Sequence, residues 1–332
     1  MKLVHFPDSY APIAGGDPYL FEELNPSSPE EVKFYTADGT LLGTRRYYGR
    51  ERVECSPKAY LRRLLHPEPY LPTKSGFAHP ESRDVGLYLR YGESLTKTPT
   101  TLFSASCHHH SSLAPLGEAA ESRKIACGEF DEVAMLVPSG VMLKARCSFP
   151  EVAGGGEVEF ASLGTHTSGV WILSVVASEL VALAQHPESV EKMSISVYAD
   201  GQLLRTVDYT VDPAPMAGVR LAWVDEYGAI GYHTFEQRAD SELATSRVIA
   251  EGEGGAETIS VEGWLTWRVE SGLLSSSQVE RLSQAVLSPS LWLITESGLI
   301  PVVADSARTL LSGKEARSLS LTLRTAQRSS RL

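Results

Sequence analysis

Apolar and polar residues alternate with a period of two along much of this chain, which predicts a protein built mainly of β-strands. From Ile259 the odd positions Ile259, Val261, Gly263, Leu265, Trp267 and Val269 alternate with Ser260, Glu262, Thr266 and Arg268. Successive side chains of a strand point to opposite faces, so this stripe predicts a long strand with one buried face and one wet face. The segment Ser318–Arg324 repeats the pattern with Leu319, Leu321 and Leu323 inward, and Val219, Leu221 and Trp223 form a third inward stripe.

Turn residues divide these strands. Asp38-Gly39 and Asp200-Gly201 each separate two apolar runs, which predicts two type I′ hairpins, because both central residues of such a turn take positive φ. Helices are few. Ser56-Pro57 predicts a helix start ahead of Tyr60, Leu61, Leu64 and Leu65. The capping box Ser277-Gln-Val-Glu280 predicts a second helix that buries Val279, Leu282 and Val286. Both helices are expected to plug sheet edges or open sandwich ends. The run Val170–Ala184 reads as a buried strand and its flank, too polar at Ser174, Ser178 and Glu179 to span a bilayer. Pro67–Pro80 and His108–Glu121 read as linkers or long loops, with Tyr70, Leu71 and Phe77 available for contacts. Asp212-Pro-Ala-Pro-Met216 reads as an extended connector. The expected fold class is mainly β: tandem antiparallel β-sandwich modules of immunoglobulin or fibronectin III type at 1–115 and 116–215, then a β-rich domain carrying one short helix at 216–332.

Composition narrows the function. The chain has 332 residues, 42% hydrophobic and 21% charged, enough to build several cores. A net charge of −11 argues against nucleic acid and anionic membrane as partners. Arg308–Leu332 is locally basic, through Arg308, Lys314, Arg317, Arg324, Arg328 and Arg331 against Glu315, and reads as a solvated strand face. The N-terminus Met-Lys-Leu-Val-His-Phe-Pro lacks the apolar run of a signal peptide, so cytoplasmic synthesis is expected. Cys55, Cys107, Cys127 and Cys147 form no Cys-x-x-Cys pair and read as reduced structural thiols.

No motif for a reaction stands out. Within Cys107-His108-His109-His110 only His108 and His110 could face one ion on a strand, short of the three or four ligands that zinc needs, so no metal is expected. His166 lies among hydroxyls without an orienting carboxylate and reads as part of a turn between Phe160 and Val170. Gly154–Gly156 and Gly252–Gly255 lack phosphate-loop spacing and read as hairpin tips, so no cofactor is expected. Glu129, Asp131 and Glu132 precede Val133–Val137 and read as a solvated strand end. Among the aromatics, Trp264 and Trp267 have opposite parity on one strand, which places one in the core and one outward. Trp223, Tyr227, Tyr232, Trp264 and Trp267 together make the candidate interaction surface, as an intersubunit anchor or a sugar-stacking platform.

One resemblance emerges from the last third. Arg220-Leu-Ala-Trp-Val-Asp-Glu-Tyr-Gly228 followed by Tyr232-His-Thr-Phe-Glu236 resembles a recurrent segment of prophage-encoded tail-associated proteins of gut bacteria. Leu273–Leu282, Ser288-Pro-Ser-Leu-Trp-Leu293 and Leu299-Ile-Pro-Val-Val303 follow in the same order as the helix and strands of that family. Tyr48–Val53 and Ser56–Leu61 resemble its strand-to-helix step. Asp225 stands where Asn is usual and Ala229 replaces a second Gly. The resemblance implies a non-enzymatic tail or baseplate component that reaches a virion or tail assembly and packs as a homo-oligomer with other tail proteins. The alternatives are a carbohydrate-binding or adhesion module that uses exposed aromatics, and a β-rich hydrolase that uses His166 or His108–His110.

Overall fold

A computed structural model describes residues 1–13, 16–110, 112–117, 120–150, 156–213, 218–237, 241–252, 255–272, 274, 276–310, 318–326 and 329–331. Residues 214–216 of the connector, 154–155 of the first glycine tip and 253–254 of the second lie outside these residues, as do Lys314, Arg317 and Arg328 of the basic tail. The chain is mainly β, with face-to-face sheets, as the alternation predicts.

The first stretch contains β1 (Lys2–His5), β2 (Tyr10–Pro12), β3 (Tyr19–Glu22), β4 (Glu30–Thr36), β5 (Leu41–Tyr47), β6 (Arg52–Cys55), α1 (Lys58–Leu64), β7 (Gly76–Ala78), β8 (Asp84–Tyr91), β9 (Thr96–Lys97) and β10 (Thr101–Ser104). One sheet runs β1-β3-β6 and the other β2-β10-β8-β4-β5, with β9 on β8. Tyr19, Phe21, Val53 and Cys55 of the first meet Val32, Phe34, Leu87, Leu89 and Phe103 of the second in one core. Helix α1 closes it with Leu61 and Leu65, and the Ser56 hydroxyl accepts the Lys58 N–H at 3.3 Å. The Asp38-Gly39 hairpin is not type I′. Only Gly39 has positive φ, at 95°, and the Thr36 N–H donates to the Thr40 carbonyl. The loop therefore holds three residues, a turn that ends in one left-handed glycine.

The second stretch contains β11 (Ala114–Pro115), β12 (Ala120–Ala126), β13 (Phe130–Val137), β14 (Leu143–Ser148), β15 (Val158–Leu163), β16 (Gly169–Val176), α2 (Ala177–Val181), β17 (Lys192–Ala199) and β18 (Gln202–Asp212). Its sheets run β11-β13-β16-β7 and β12-β18-β17-β14-β15. Val133, Met135, Leu173 and Val175 of one pack on Cys147, Ile195, Val197 and Val207 of the other. Asp200 and Gly201 have φ of 48° and 82°, the type I′ signature. Three features depart from the sequence pattern. Strand β7 comes from the expected linker Pro67–Pro80, yet it completes an edge of this sandwich by pairing with Ile172–Ser174. The flank of the Val170 run coils into α2. Two neighbour pairs, β12–β18 and β2–β10, are parallel.

The last stretch contains β19 (Val219–Val224), β20 (Ile230–Gln237), β21 (Glu242–Gly252), β22 (Gly255–Glu270), α3 (Ser276–Leu287), β23 (Leu291–Thr295), β24 (Gly298–Leu310), β25 (Ser318–Thr325) and β26 (Ser329–Arg331). Strands follow the order β20-β19-β23-β24-β25-β22, and β22 pairs back onto β20 through Glu236↔Glu270 and Gln237↔Val269. The sheet thus closes on itself as a small barrel. Val219, Leu221, Trp223, Trp267, Leu321 and Leu323 fill it together with Val279 and Leu282 of α3, the helix face that the capping box predicts. The capping residues Ser277 and Glu280 lie outside the described side chains. Strands β21, β22 and β26 extend beyond the barrel as an arm, β21 pairing along β22 from Glu242↔Thr266 to Gly252↔Gly255.

Candidate functional site

The five candidate aromatics do not share a surface. Trp223 is fully buried and Trp267 is 9% exposed, both inside the barrel. Trp223 lies opposite Gly231 in the β19–β20 ladder. A Cβ there would sit 2.6 Å from the indole, so glycine makes the space. Tyr232 points outward from the barrel but is covered by the middle sandwich, its hydroxyl donating to Glu132 Oε2 at 3.2 Å and its ring edge-on to Phe130. Three of the five are therefore corrected from surface to interior, because barrel closure and module packing cover both faces of β19–β20. Trp264 is half-buried on the arm opposite Ala244, and Tyr227 is half-buried in the β19–β20 turn. As their opposite parity predicts, Trp267 is the core residue and Trp264 lies on the other face of β22.

The inward stripe of β22 continues past the core that it serves. Trp267 and Val269 are buried, but Leu265 on the same face is 40% exposed. Its cross-strand partner Leu243 is 67% exposed, and Ile249, farther along that face of β21, is 57% exposed. Apolar residues thus stand exposed on the arm beyond the barrel core, with Thr245 and Arg247 between Leu243 and Ile249 on β21. This was legible in the sequence as alternation, but its exposure was not, since alternation does not say where the core ends.

Charged residues fasten the three cores to each other. Arg83, ahead of β8, pairs with Glu132 of β13 at 2.9 Å with neither side chain more than 3% exposed. Glu132 Oε1 also accepts the Ile230 N–H from the barrel. Glu121 of β12 receives Arg123 and Arg205 of the middle sandwich and Arg281 of α3, each at 2.7 Å. Burial pushes the Glu121 carboxyl up, yet the guanidiniums of Arg123, Arg281 and Arg205 hold it down at about 2. Gly117, with φ of 121°, leaves the space that the Arg205 guanidinium fills. Arg220 of the barrel meets Glu129 at 2.8 Å, and Thr234 donates to the same carboxylate. The expectation of a solvated end for Glu129, Asp131 and Glu132 is corrected: Asp131 and Glu132 are each 3% exposed, because Arg123 of the neighbouring strand pairs with Asp131 and the distant Arg83 with Glu132.

The β19–β20 turn is the other junction. Asp225 accepts the Tyr227 and Ala229 N–H groups at 2.9 Å, and burial raises its carboxyl to about 6. The Cys107 N–H donates to the Glu226 carbonyl, and His108 stacks on Tyr227 at 4.9 Å between centroids. Gly228, with φ of 76°, brings the turn so close that a Cβ would lie 2.6 Å from the Ser106 nitrogen. His108 is 3.4 Å from Glu226, whereas His110 contacts the Ser106 hydroxyl. Both rings lie against Tyr227, and no metal-ligand group of three or more residues occurs among the described residues. His166 places Nε2 2.6 Å from the Val141 carbonyl, in the turn expected for it. The four cysteines are free thiols, with Cys55 and Cys147 buried and Cys107 exposed. Among the described residues no helix is long and apolar enough to cross a membrane.

A groove of about 600 Å³ lies between the first sandwich and the barrel, floored by Leu65, Val224 and Trp292 and rimmed by Lys58 and Arg62.

No family model and no curated protein matches the chain. Among solved structures, a chain of the virion of a native gene transfer agent particle aligns over 36% of this chain and 100% of its own length, with 14% identity and a TM-score of 0.24. A chain of the anti-feeding prophage baseplate aligns over 36% of this chain and 96% of its own, with 11% identity and a TM-score of 0.22.

Proposed function

We propose that this chain is a non-enzymatic structural subunit of a phage- or prophage-tail-like assembly, made of three modules divided near residues 115 and 215, and that it works by protein–protein packing. The observation that carries the assembly role is the cross-strand pair Leu265 of β22 and Leu243 of β21, 40% and 67% exposed just beyond the barrel core at Trp267. Exposed leucines paired across a ladder mark a contact, and a long edge strand offers a ready ladder for one. The tail setting rests on the sequence pattern of Arg220–Gly228, Tyr232–Glu236 and the elements that follow.

Burial of Trp223, Tyr232 and Trp267 weighs against the glycan-binding alternative, which keeps only Trp264 and Tyr227, on separate elements. The His166 and His108–His110 groups are tied to backbone carbonyls, a hydroxyl and a stacked tyrosine, which weighs against a hydrolase.

Light scattering of the purified chain across concentration tests the proposal. The expected result is a defined oligomer that Leu243→Glu with Leu265→Glu disperses without changing the unfolding midpoint. A monomer at all concentrations that also binds a glycan array would overturn it.

A further inference from the structure

The outer face of the first sandwich carries a row of like charges. Lys33 of β4 stands directly opposite Arg90 of β8, and Arg90 directly opposite Lys97 of β9. Side chains opposed in an antiparallel ladder share a face about 5 Å apart, and like charges placed so repel. Two tyrosines fix the row. Tyr35 and Tyr88, the next opposed pair on this face of β4 and β8, stack at 5.3 Å between centroids. The Arg90 guanidinium lies 5.4 Å from the Tyr35 ring centroid, and the Lys97 ammonium 4.0 Å from that of Tyr88. Ring contact holds these cations without neutralising them, and among the described residues neither has an ion-pair partner. The carboxylates of the face are engaged elsewhere. Glu31 is closer to Arg46, at 2.7 Å, than to Lys33, at 3.7 Å, and Asp84, at the far end of β8, holds His79 at 3.0 Å. In a chain of net charge −11, this face thus keeps an uncompensated positive row.

We propose that the β4–β8–β9 face docks an acidic surface of another protein, whose carboxylates are spaced as these cations are. The inference rests on the assembly reading and names the chemistry of one partner. Neighbouring strands set carboxylates about 5 Å apart and one helical turn about 6 Å, so either element matches the row. A second copy is a poor fit, because carboxylates on this chain's own strand faces stand paired with cations: Glu157 with Arg146, Glu159 with Lys144 and Asp305 with Arg324. A nucleic acid fits poorly too. Tyr35 and Tyr88 turn their rings to each other and to the two cations, and Tyr88 is 4% exposed, so it offers no open face to a base. Charge pairs across the contact set register and steer encounter, so binding weakens with salt.

Fluorescence anisotropy of labelled probes with the full chain tests this. The probe is a helical peptide with Glu residues one turn apart on one face. Its comparisons are the same peptide with Gln in place of Glu, and a single-stranded oligonucleotide of equal charge. The Glu peptide alone is expected to bind, and to be released as salt rises. Lys33→Gln with Lys97→Gln is expected to weaken it by about tenfold or more. Lys58→Gln with Arg62→Gln removes the same charge from α1, where both side chains are exposed, and is expected to leave binding within about twofold. Unfolding midpoints of both variants are expected to match wild type, since the four side chains lie outside the core. Equal losses in the two variants would assign binding to overall charge and overturn the inference. Binding that ignores salt, tighter binding of the oligonucleotide, or no binding of the Glu peptide at low salt would each overturn it as well. All of these leave the assembly reading intact, because that reading stands on Leu243 and Leu265.

Discussion

Arg83 and Glu132 form an ion pair at 2.9 Å in which both side chains are shut off from solvent, and the pair ties the first sandwich to the second. Glu132 carries the tie onward to the barrel through the Ile230 N–H and the Tyr232 hydroxyl. Burial raises the Glu132 carboxyl, and the Arg83 guanidinium opposes that shift. A buried pair is weak evidence of net stability, but breaking one leaves an uncompensated charge.

Arg83→Met should therefore destabilise the protein by about 3–5 kcal/mol. Adding Glu132→Gln should recover part of the loss, because it removes the stranded charge, keeps one acceptor oxygen for the Ile230 N–H and turns an amide N–H to the Tyr232 hydroxyl oxygen. Denaturant unfolding of the two single variants and the double variant measures the coupling. Additive losses would show that the pair is not the fastening.

Asp225 gives a pH effect of the opposite kind to ordinary carboxylates. Burial raises its carboxyl from 3.8 to about 6, so the contribution it makes when protonated is complete below about 3.8 and is lost as pH rises through about 6. Asp225→Asn keeps an oxygen to accept the Tyr227 and Ala229 N–H groups. The variant should be more stable than wild type at pH 8, by at most about 3 kcal/mol and less where water reaches the half-buried side chain. Near pH 3 the two should coincide. Equal stability at both pH values would rule out the strain assigned to the charge.

His233 works against acid. It lies 7% exposed inside the barrel, and burial with the charges of Arg281 and Arg220 pushes its imidazole down to about 3. Its stability contribution is present above about 6.5 and lost as pH falls toward 3, with a slope of at most about 1.4 kcal/mol per pH unit. His233→Leu should flatten that acid limb when unfolding is followed from pH 7 to pH 4. A limb of unchanged slope would assign it to other groups.

Gly231 and Trp223 fit as a pair. Gly231→Ala sets a Cβ 2.6 Å from the indole and should cost about 1–3 kcal/mol by overpacking. With Trp223→Phe the same alanine should cost much less, because the smaller ring vacates that space. A double-mutant cycle by thermal or chemical unfolding checks the coupling.

By itself the sequence determined the local structure. The alternation of Ile259–Val269, the Asp200-Gly201 turn and the spacing of Val279, Leu282 and Val286 each act through neighbours a few residues apart. Strand, turn and helix face were therefore readable there. The Asp38-Gly39 loop differed by one residue, because Thr36 and Thr40 bond across a wider turn. Tertiary structure alone decided what the elements are for. Nothing near Glu129, Asp131 and Glu132 announces Arg83 or Arg220, which arrive from other modules and turn an apparent wet strand end into a buried junction. Likewise Tyr232 is interior only because a sandwich lies over it, and Leu265 is exposed only because the barrel ends at Trp267. Periodicity states which face of a strand is apolar. Whether that face meets a core, another module or open solvent depends on contacts between residues a hundred positions apart, and no local pattern encodes them.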